Sequence, residues 1–319
     1  MLFWGFVVGI GSAILQSSAY IFSRRFAVKQ KSAGKLTAYS QLWMLLMGLL
    51  TLLVISPWQR VVFTRELIVL MIIFSVFGNL AYFCFFRAQE EIESSRISSL
   101  LGLKMISLAF FNMLLLKYFP DLLKLCGVDN ALSTADIRQF SPGIYQWAAI
   151  IISSFAAVGM NFSGGRLPWK GCVFLTMTLL CYAVTDNVAA MMVKAIHGDT
   201  PLMLRSVAAS SLAFMSLGFL SNFTFLKDGF DFKCMKDAFG YGALWFAAMI
   251  GFLATLNMLG VMYANIVQVS RGFFSVVIGF ILLKTGIDKL EPEVSGKMWL
   301  RRVIMAVLMI VAMALYVRK

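Results

Sequence analysis

The chain has 319 residues, of which 60% are hydrophobic and only 13% are charged, and its net charge at pH 7 is +13. Its mean hydropathy of +0.84 excludes an ordinary soluble domain and indicates a protein of the lipid bilayer. The basic residues lie at the ends of apolar segments and in short connections. The charge therefore indicates anchoring at the membrane surface and not a nucleic-acid partner.

Apolar segments follow one another along the whole chain, and each is long enough for the roughly 20 residues that a spanning helix needs. A long connection near 118–143 interrupts them, and Ser133-Thr-Ala-Asp136 within it predicts the start of a short surface helix. The predicted fold class is an all-α polytopic membrane protein. Its ten predicted transmembrane helices cover residues 2–22, 36–56, 66–86, 97–117, 144–162, 170–193, 202–222, 239–263, 266–284 and 298–317.

The last five segments resemble a diverged copy of the first five. Ser95-Arg96 before the fourth segment recurs as Ser270-Arg271 before the ninth. A polar stripe on one face of the first segment also recurs in the sixth, where Thr178, Tyr182 and Asp186 correspond to Gln16, Tyr20 and Arg24. Because each copy has an odd number of spans, the copies would have opposite orientations. We therefore predict two inverted five-helix repeats, 1–163 and 168–319, with the functional site between them.

A short connector that ends in Ser-Arg and leads into an apolar helix occurs at Ala88 to Leu101 and again at Tyr263 to Val277. This pattern resembles the drug/metabolite transporter (DMT) superfamily, EamA type. Trp4-Gly5 in the first segment is similar too. The resemblance implies ten helices in two inverted repeats, around a central cavity that exports small metabolites such as amino acids. It also implies an acidic residue followed by proline in the fourth and ninth helices. This chain has Lys104-Met105 and Gly279-Phe280 there, so no proline kink is predicted.

Ionisable side chains inside a span are costly and are therefore functional candidates. Asp186 is the one carboxylate predicted inside a span. It is either a proton-coupling or substrate-binding group or one side of a fixed ion pair. For such a pair, the repeat suggests Arg24 as the partner. Lys104 lies too deep to reach the membrane surface, so it either attracts an anionic substrate group or pairs with Asp186. Arg96 and Arg271 are candidates for gating the cavity or binding anions, or else anchor in lipid headgroups.

Further polar and aromatic residues suit a small amphipathic ligand, although each can equally form hydrogen bonds between helices. The sequence predicts no catalytic residue and no cofactor, and its five cysteines lack the spacing of metal ligands. The predicted substrate-binding residues are Lys104, Gln16, Tyr20, Asn79, Tyr82, Tyr182, Asn187, Asn257 and Tyr263.

The predicted function is secondary transport by alternating access, most simply export of amino acids or related amphipathic or zwitterionic compounds, with proton coupling through Asp186. A nucleotide-sugar or phosphorylated-metabolite exchanger is the main alternative and requires Arg24, Arg96 and Arg271 to face the cavity. A lipid-modifying membrane enzyme needs acid-base or metal groups gathered at one interface. Against it, the chain has a single histidine, His197, and its acidic cluster of Glu90, Glu91 and Glu93 is typical of a solvated connection.

We expect a multi-pass protein of the bacterial cytoplasmic (inner) membrane, monomeric or homodimeric, whose partners are a small-molecule substrate and the lipid bilayer, without nucleic acid. Its orientation has two interpretations. Lys and Arg are more frequent in the odd-numbered connections, which by the positive-inside rule puts both termini outside. The family resemblance implies that both termini are cytoplasmic.

Overall fold

The computed structural model describes residues 2–30, 32–55, 63–92, 94–111, 118, 121, 143–161, 167–195, 201–217, 229–285 and 296–317. The regular structure of this part is helical, as predicted. The surface helix predicted to begin at Ser133 lies outside the described residues. The helices are α1 Leu2–Gln30, α2 Ala33–Ile55, α3 Arg65–Glu91, α4 Ser94–Leu100, α5 Ile144–Asn161, α6 Trp169–Ala195, α7 Pro201–Ser216, α8 Phe232–Leu259, α9 Val261–Val269, α10 Arg271–Thr285 and α11 Gly296–Val317.

Six helices of the described part are long and apolar enough to cross a membrane, and Ile144–Gly159 in α5 is a shorter apolar helix. One of the six, Val261–Leu282, combines α9 with most of α10. The length and composition of these helices support the prediction of an integral, multi-pass, all-helical membrane protein.

Local chemistry explains several helix ends. The Thr64 hydroxyl accepts a hydrogen bond from the Leu67 N–H and caps α3, and the Asp231 carboxylate does the same for the first turn of α8. Gly260 adopts a φ of +78°, a conformation that favours glycine, and ends α8. The predicted eighth span, 239–263, is therefore wrong at its end, and Tyr263 belongs to α9. The first helix extends to Gln30 instead of residue 22.

The helices pack in pairs. α1 packs along α8, and α3 packs along α6, while α2 contacts α7 and α5 contacts α11. The α1–α8 pair is antiparallel, because a Cβ at Gly5 would meet Leu259 whereas Lys29 at the other end of α1 contacts Asp237. Small residues allow this close approach of membrane helices.

Two helices are interrupted near the centre of the molecule. The helix that begins with α4 tightens into a 3₁₀ turn at Leu101–Leu103 before helical residues 104–111. Ser270 separates α9 from α10. Although the chain lacks the proline that would kink this helix, a 3₁₀ turn interrupts it directly before Lys104. Discontinuous helices of this kind leave backbone groups available at the midplane of transporters.

Gly242 allows α8 to approach α2 closely, and we expect Gly242→Ala to lower the thermal unfolding midpoint of the detergent-purified protein by several degrees. A Cβ at this position would lie 2.9 Å from Trp43 Cβ and 3.3 Å from the Ser40 carbonyl oxygen, so the helices must separate. Overpacking of this kind costs about 1–3 kcal/mol. The matched control is Gly11→Ala, because a Cβ at Gly11 meets no atom within 4 Å. An equal loss in both variants would contradict the packing.

Candidate functional site

A cavity lies where α1, α3, α6, α7, α8 and the two interrupted helices converge. It combines buried charges with an aromatic and thioether lining. The residues that line it are Gln16, Phe74, Gly78, Tyr82, Lys104, Tyr182, Thr185, Asp186, Met215, Trp245, Met249, Phe252, Gln268 and Arg271.

Lys104 and Asp186 form a buried ion pair in the wall of this cavity. The Lys104 Nζ donates a hydrogen bond to Asp186 Oδ2 over 2.5 Å, and the two side chains are only 6% and 8% exposed. Buried charges in membrane proteins require such partners. The pair corrects the predicted partner of Asp186, because Arg24 instead donates to the backbone carbonyl of Gln89 at the end of α3.

Arg271 brings a second cation into the same cavity. Its guanidinium donates to Gln16 Oε1 over 3.0 Å and to the Leu101 carbonyl over 3.4 Å, and the residue is 3% exposed. Both of these partners are neutral, and no ion pair to Arg271 occurs in the described part of the chain. With two cations and one carboxylate among its described lining residues, the cavity has an excess of positive charge.

The interrupted helices explain how Arg271 is held. Its acceptor, the Leu101 carbonyl, belongs to the 3₁₀ turn, where the regular α-helical hydrogen bonding is lost. The backbone carbonyl of Arg271 itself accepts a hydrogen bond from the Ser17 hydroxyl of α1 over 2.8 Å. The break at Ser270 therefore places the first residue of α10 between α1 and the 3₁₀ turn.

Aromatic rings form much of the remaining wall. The Lys104 Nζ lies 5.7 Å from the ring centroids of both Tyr182 and Phe252, which adds cation–π attraction to the ion pair. Tyr82 and Trp245 meet edge to face with their centroids 5.5 Å apart. Four lining residues have a buried polar atom without a hydrogen-bond partner in the described structure: Tyr182 Oη, Trp245 Nε1, Gln268 Oε1 and Arg271 Nε. A polar ligand or water could satisfy these atoms.

The structure brings Lys104, Gln16, Tyr82, Tyr182 and Asp186 together in the cavity lining. Other predicted binding residues do not line it. Tyr20 is buried between the rings of Phe85 and Trp245. Asn79 donates hydrogen bonds to the carbonyls of Ser75 and Met215, and Asn187 donates one to the Ala183 carbonyl. Asn257 is exposed, and Tyr263 lies half-buried in α9.

The two candidate gating residues have separate positions. Arg271 lines the cavity, whereas Arg96 does not. Both are buried, at 3% and 7% exposure, which contradicts anchoring in lipid headgroups. The predicted set did not include the lining residues Trp245, Gln268, Thr185 and Phe252. Gln268 was the most visible of these in the sequence, since an amide inside an apolar run is unusual.

Apolar helices long enough to span a bilayer define the class, which is a multi-pass membrane protein, and its interrupted helices surround a charged central cavity. Residues 3–132 match the model of the EamA-like transporter family, part of the DMT superfamily. The resemblance found in the sequence is thereby confirmed over residues 3–132. The match is to a transporter family and not to an enzyme family.

Among solved structures, one crystal structure of a protein aligns with a TM-score of 0.58 and 13% sequence identity, covering 98% of this chain and 95% of the other. At this identity the similarity concerns the fold alone, over nearly its whole length. No match was found among curated proteins.

Proposed function

We propose that the chain is a secondary carrier that exports small zwitterionic metabolites, such as amino acids and related amphipathic compounds, by alternating access. The observation that carries the proposal is the central cavity, which holds an ion pair, Lys104–Asp186, together with the guanidinium of Arg271. Charges buried in a membrane domain are costly and typically mark substrate or ion pathways.

The helix spacing supports two inverted repeats of five helices each. Arg65 and Phe232, the first residues of α3 and α8, lie 167 residues apart, and so do Ser94 and Val261 of α4 and α9. In these repeats α1 corresponds to α6 and α3 to α8, so the α1–α8 contact of one repeat arrangement is equivalent to the α6–α3 contact of the other. The α2–α7 and α5–α11 contacts each join two equivalent helices. Carriers of this design rock one repeat against the other around a fixed midplane site.

The same spacing makes Lys104 and Arg271 equivalent positions of the two repeats. Each follows its helix interruption directly, at Leu101–Leu103 and at Ser270. Tyr82 and Met249, which both line the cavity, are also 167 residues apart. The repeats would thus each contribute one cation to a site near the pseudo-twofold axis, whereas Asp186 would correspond to an uncharged residue, Ala19.

The charges suggest how a zwitterion would bind. Its carboxylate would accept hydrogen bonds from the Arg271 guanidinium, whose partners in the described structure are neutral. Its ammonium group would compete with Lys104 for Asp186, with the rings of Tyr182 and Trp245 around it.

Proton coupling fits the same arrangement. Protonation of Asp186 would release Lys104 from its ion pair and make the cavity more positive, so that the charge state of one carboxyl group would change the affinity for the substrate. The exchanger of nucleotide sugars or phosphorylated metabolites is less well supported, because it requires three inward-facing arginines. Arg24 contacts the Gln89 carbonyl and Arg96 lies outside the lining.

An untargeted comparison of culture media tests the proposal. Cells that overproduce the wild-type protein are expected to enrich one or a few zwitterionic metabolites in the medium relative to cells with an empty vector, and cells with Asp186→Asn are expected not to. The wild-type and Asp186→Asn strains must contain equal amounts of membrane-inserted protein, as measured by immunoblot. Identical media from all strains, with no binding of cell metabolites to the purified protein, would reject the proposal.

A further inference from the structure

A groove on the outer surface of the helices, distinct from the central cavity, lies between the last third of α1 and the first half of α8. Here we call it the α1–α8 groove. The residues that line it are Phe22, Arg25, Phe26, Lys29, Lys236, Asp237, Phe239, Gly240, Ala243 and Leu244.

The groove has a charged end and an apolar end. Because α1 and α8 are antiparallel, Lys29 and Asp237 lie opposite each other at one end, where they form an ion pair of 2.6 Å. One to two helical turns further along, Phe22 contacts Gly240, since a Cβ at this glycine would lie 2.6 Å from the Phe22 ring. Beyond Gly240, the α8 side of the groove is lined by Ala243 and Leu244.

Cations exceed carboxylates at the charged end. Arg25, Lys29 and Lys236 are all exposed there, and Asp237 is the one carboxylate among the described lining residues. Asp237 is already paired with Lys29, and Lys236 forms no ion pair within the described part of the chain. The positive charge of Lys236 therefore attracts a negatively charged group to this end of the groove.

The position of the charged end matches the depth of lipid headgroups. The 29 residues of α1 give a length of roughly 43 Å at 1.5 Å per residue, whereas the hydrocarbon core of a bilayer is only about 30 Å thick. The end of α1 that carries Arg25 and Lys29 therefore reaches the interfacial region. The rings of Phe22 and Phe239, 39% and 45% exposed, lie nearer to the acyl chains.

We infer that the α1–α8 groove binds an anionic phospholipid. Its phosphate is held by Arg25 and Lys236, and its acyl chains follow Phe22, Ala243 and Leu244 toward the bilayer centre. Basic pockets between membrane helices bind acidic headgroups in this way, whereas apolar surface alone does not distinguish one phospholipid from another. The inference does not depend on the transported substrate, because none of the groove residues lines the central cavity.

Native mass spectrometry of the full-length, delipidated protein tests this inference with phosphatidylglycerol and phosphatidylcholine as the probes. The wild type is expected to bind the first phosphatidylglycerol at least tenfold more tightly than phosphatidylcholine. The double variant Arg25→Gln/Lys236→Gln is expected to lose this preference. Inorganic phosphate is expected to displace the bound lipid no better than chloride at equal ionic strength, since the acyl chains contribute to binding.

The matched control is Lys297→Gln, which removes an exposed lysine at the start of α11, outside the groove. It is expected to leave the preference unchanged. Four results would overturn the inference: no preference in the wild type, an unchanged preference in a folded double variant, an equal loss in the control, or displacement by inorganic phosphate alone. The unfolding midpoint of each variant in detergent verifies that it is folded.

Discussion

Replacing Asp186 by Asn is expected to abolish transport and to lower the thermal unfolding midpoint of the purified protein by several degrees. The substitution leaves the Lys104 ammonium buried without its carboxylate, close to a second buried cation, Arg271. Removing one partner of a buried ion pair costs about 3–5 kcal/mol, since the remaining charge is no longer compensated. The measurements are thermal unfolding in detergent and substrate flux in proteoliposomes.

A double variant separates the structural role of the pair from its role in transport. Lys104→Gln/Asp186→Asn removes both charges and retains a side-chain hydrogen bond, so it is expected to recover most of the lost stability but none of the transport. If the double variant transports like the wild type, the pair is only structural. In the proton-coupled mechanism, an imposed proton gradient accelerates flux in the wild type and has no effect on any residual flux of Asp186→Asn.

Replacing Arg271 by Gln is expected to weaken substrate binding by about 10- to 100-fold, with little loss of stability. A hydrogen bond to a charged group contributes about 1.5–3 kcal/mol, which corresponds to that range. Stability should change little, because in the described structure the guanidinium contacts neutral acceptors, Gln16 Oε1 and the Leu101 carbonyl, and no carboxylate is left unpaired. Equilibrium binding of the exported metabolite to the purified variant measures the effect.

Two further variants make the result specific. Arg271→Lys keeps the positive charge but loses the planar pair of donors, so it is expected to restore binding only in part. Arg96→Gln changes the arginine that lies outside the cavity lining, and it is expected to retain the wild-type affinity. An Arg271→Gln variant with unchanged affinity, or an equal loss in Arg96→Gln, would contradict the assignment of Arg271 to the substrate site.

The sequence could predict the buried pair because a lysine and an aspartate inside apolar segments are conspicuous and must be compensated. Both Lys104 and Asp186 line the cavity, together with Gln16, Tyr82 and Tyr182. Their mutual pairing was one of two interpretations of Lys104. The choice between them depends on the rotation of each helix about its axis, which a polar stripe does not determine.

The inward position of Arg271 was harder to predict because of one helix boundary. With a helix assumed to begin near residue 266, Arg271 lies in its second turn, where a side chain can reach the headgroups. Gly260 instead ends α8, and the next helix begins at Val261. Arg271 then lies ten residues, or about 15 Å, from the helix start, which is near the bilayer centre.

The predicted Arg24–Asp186 pairing was wrong for a related reason. It rested on a repeat register chosen by matching polar residues. In the proposed repeat, the spacing of 167 residues between α3 and α8 would instead pair Asp186 with Ala19. Sparse polar matches in apolar helices cannot fix a register, because a shift by a few residues still aligns hydrophobic side chains with one another.

We propose that the cavity around Lys104, Asp186 and Arg271 is the substrate site of a carrier. Counterflow in proteoliposomes, with the exported metabolite inside and its labelled form outside, measures transport through this site. Rapid accumulation of label is expected with the wild type and with Arg96→Gln, and little or none with Asp186→Asn or Arg271→Gln. Equal accumulation in all four proteins, or none with any zwitterionic metabolite, would contradict it.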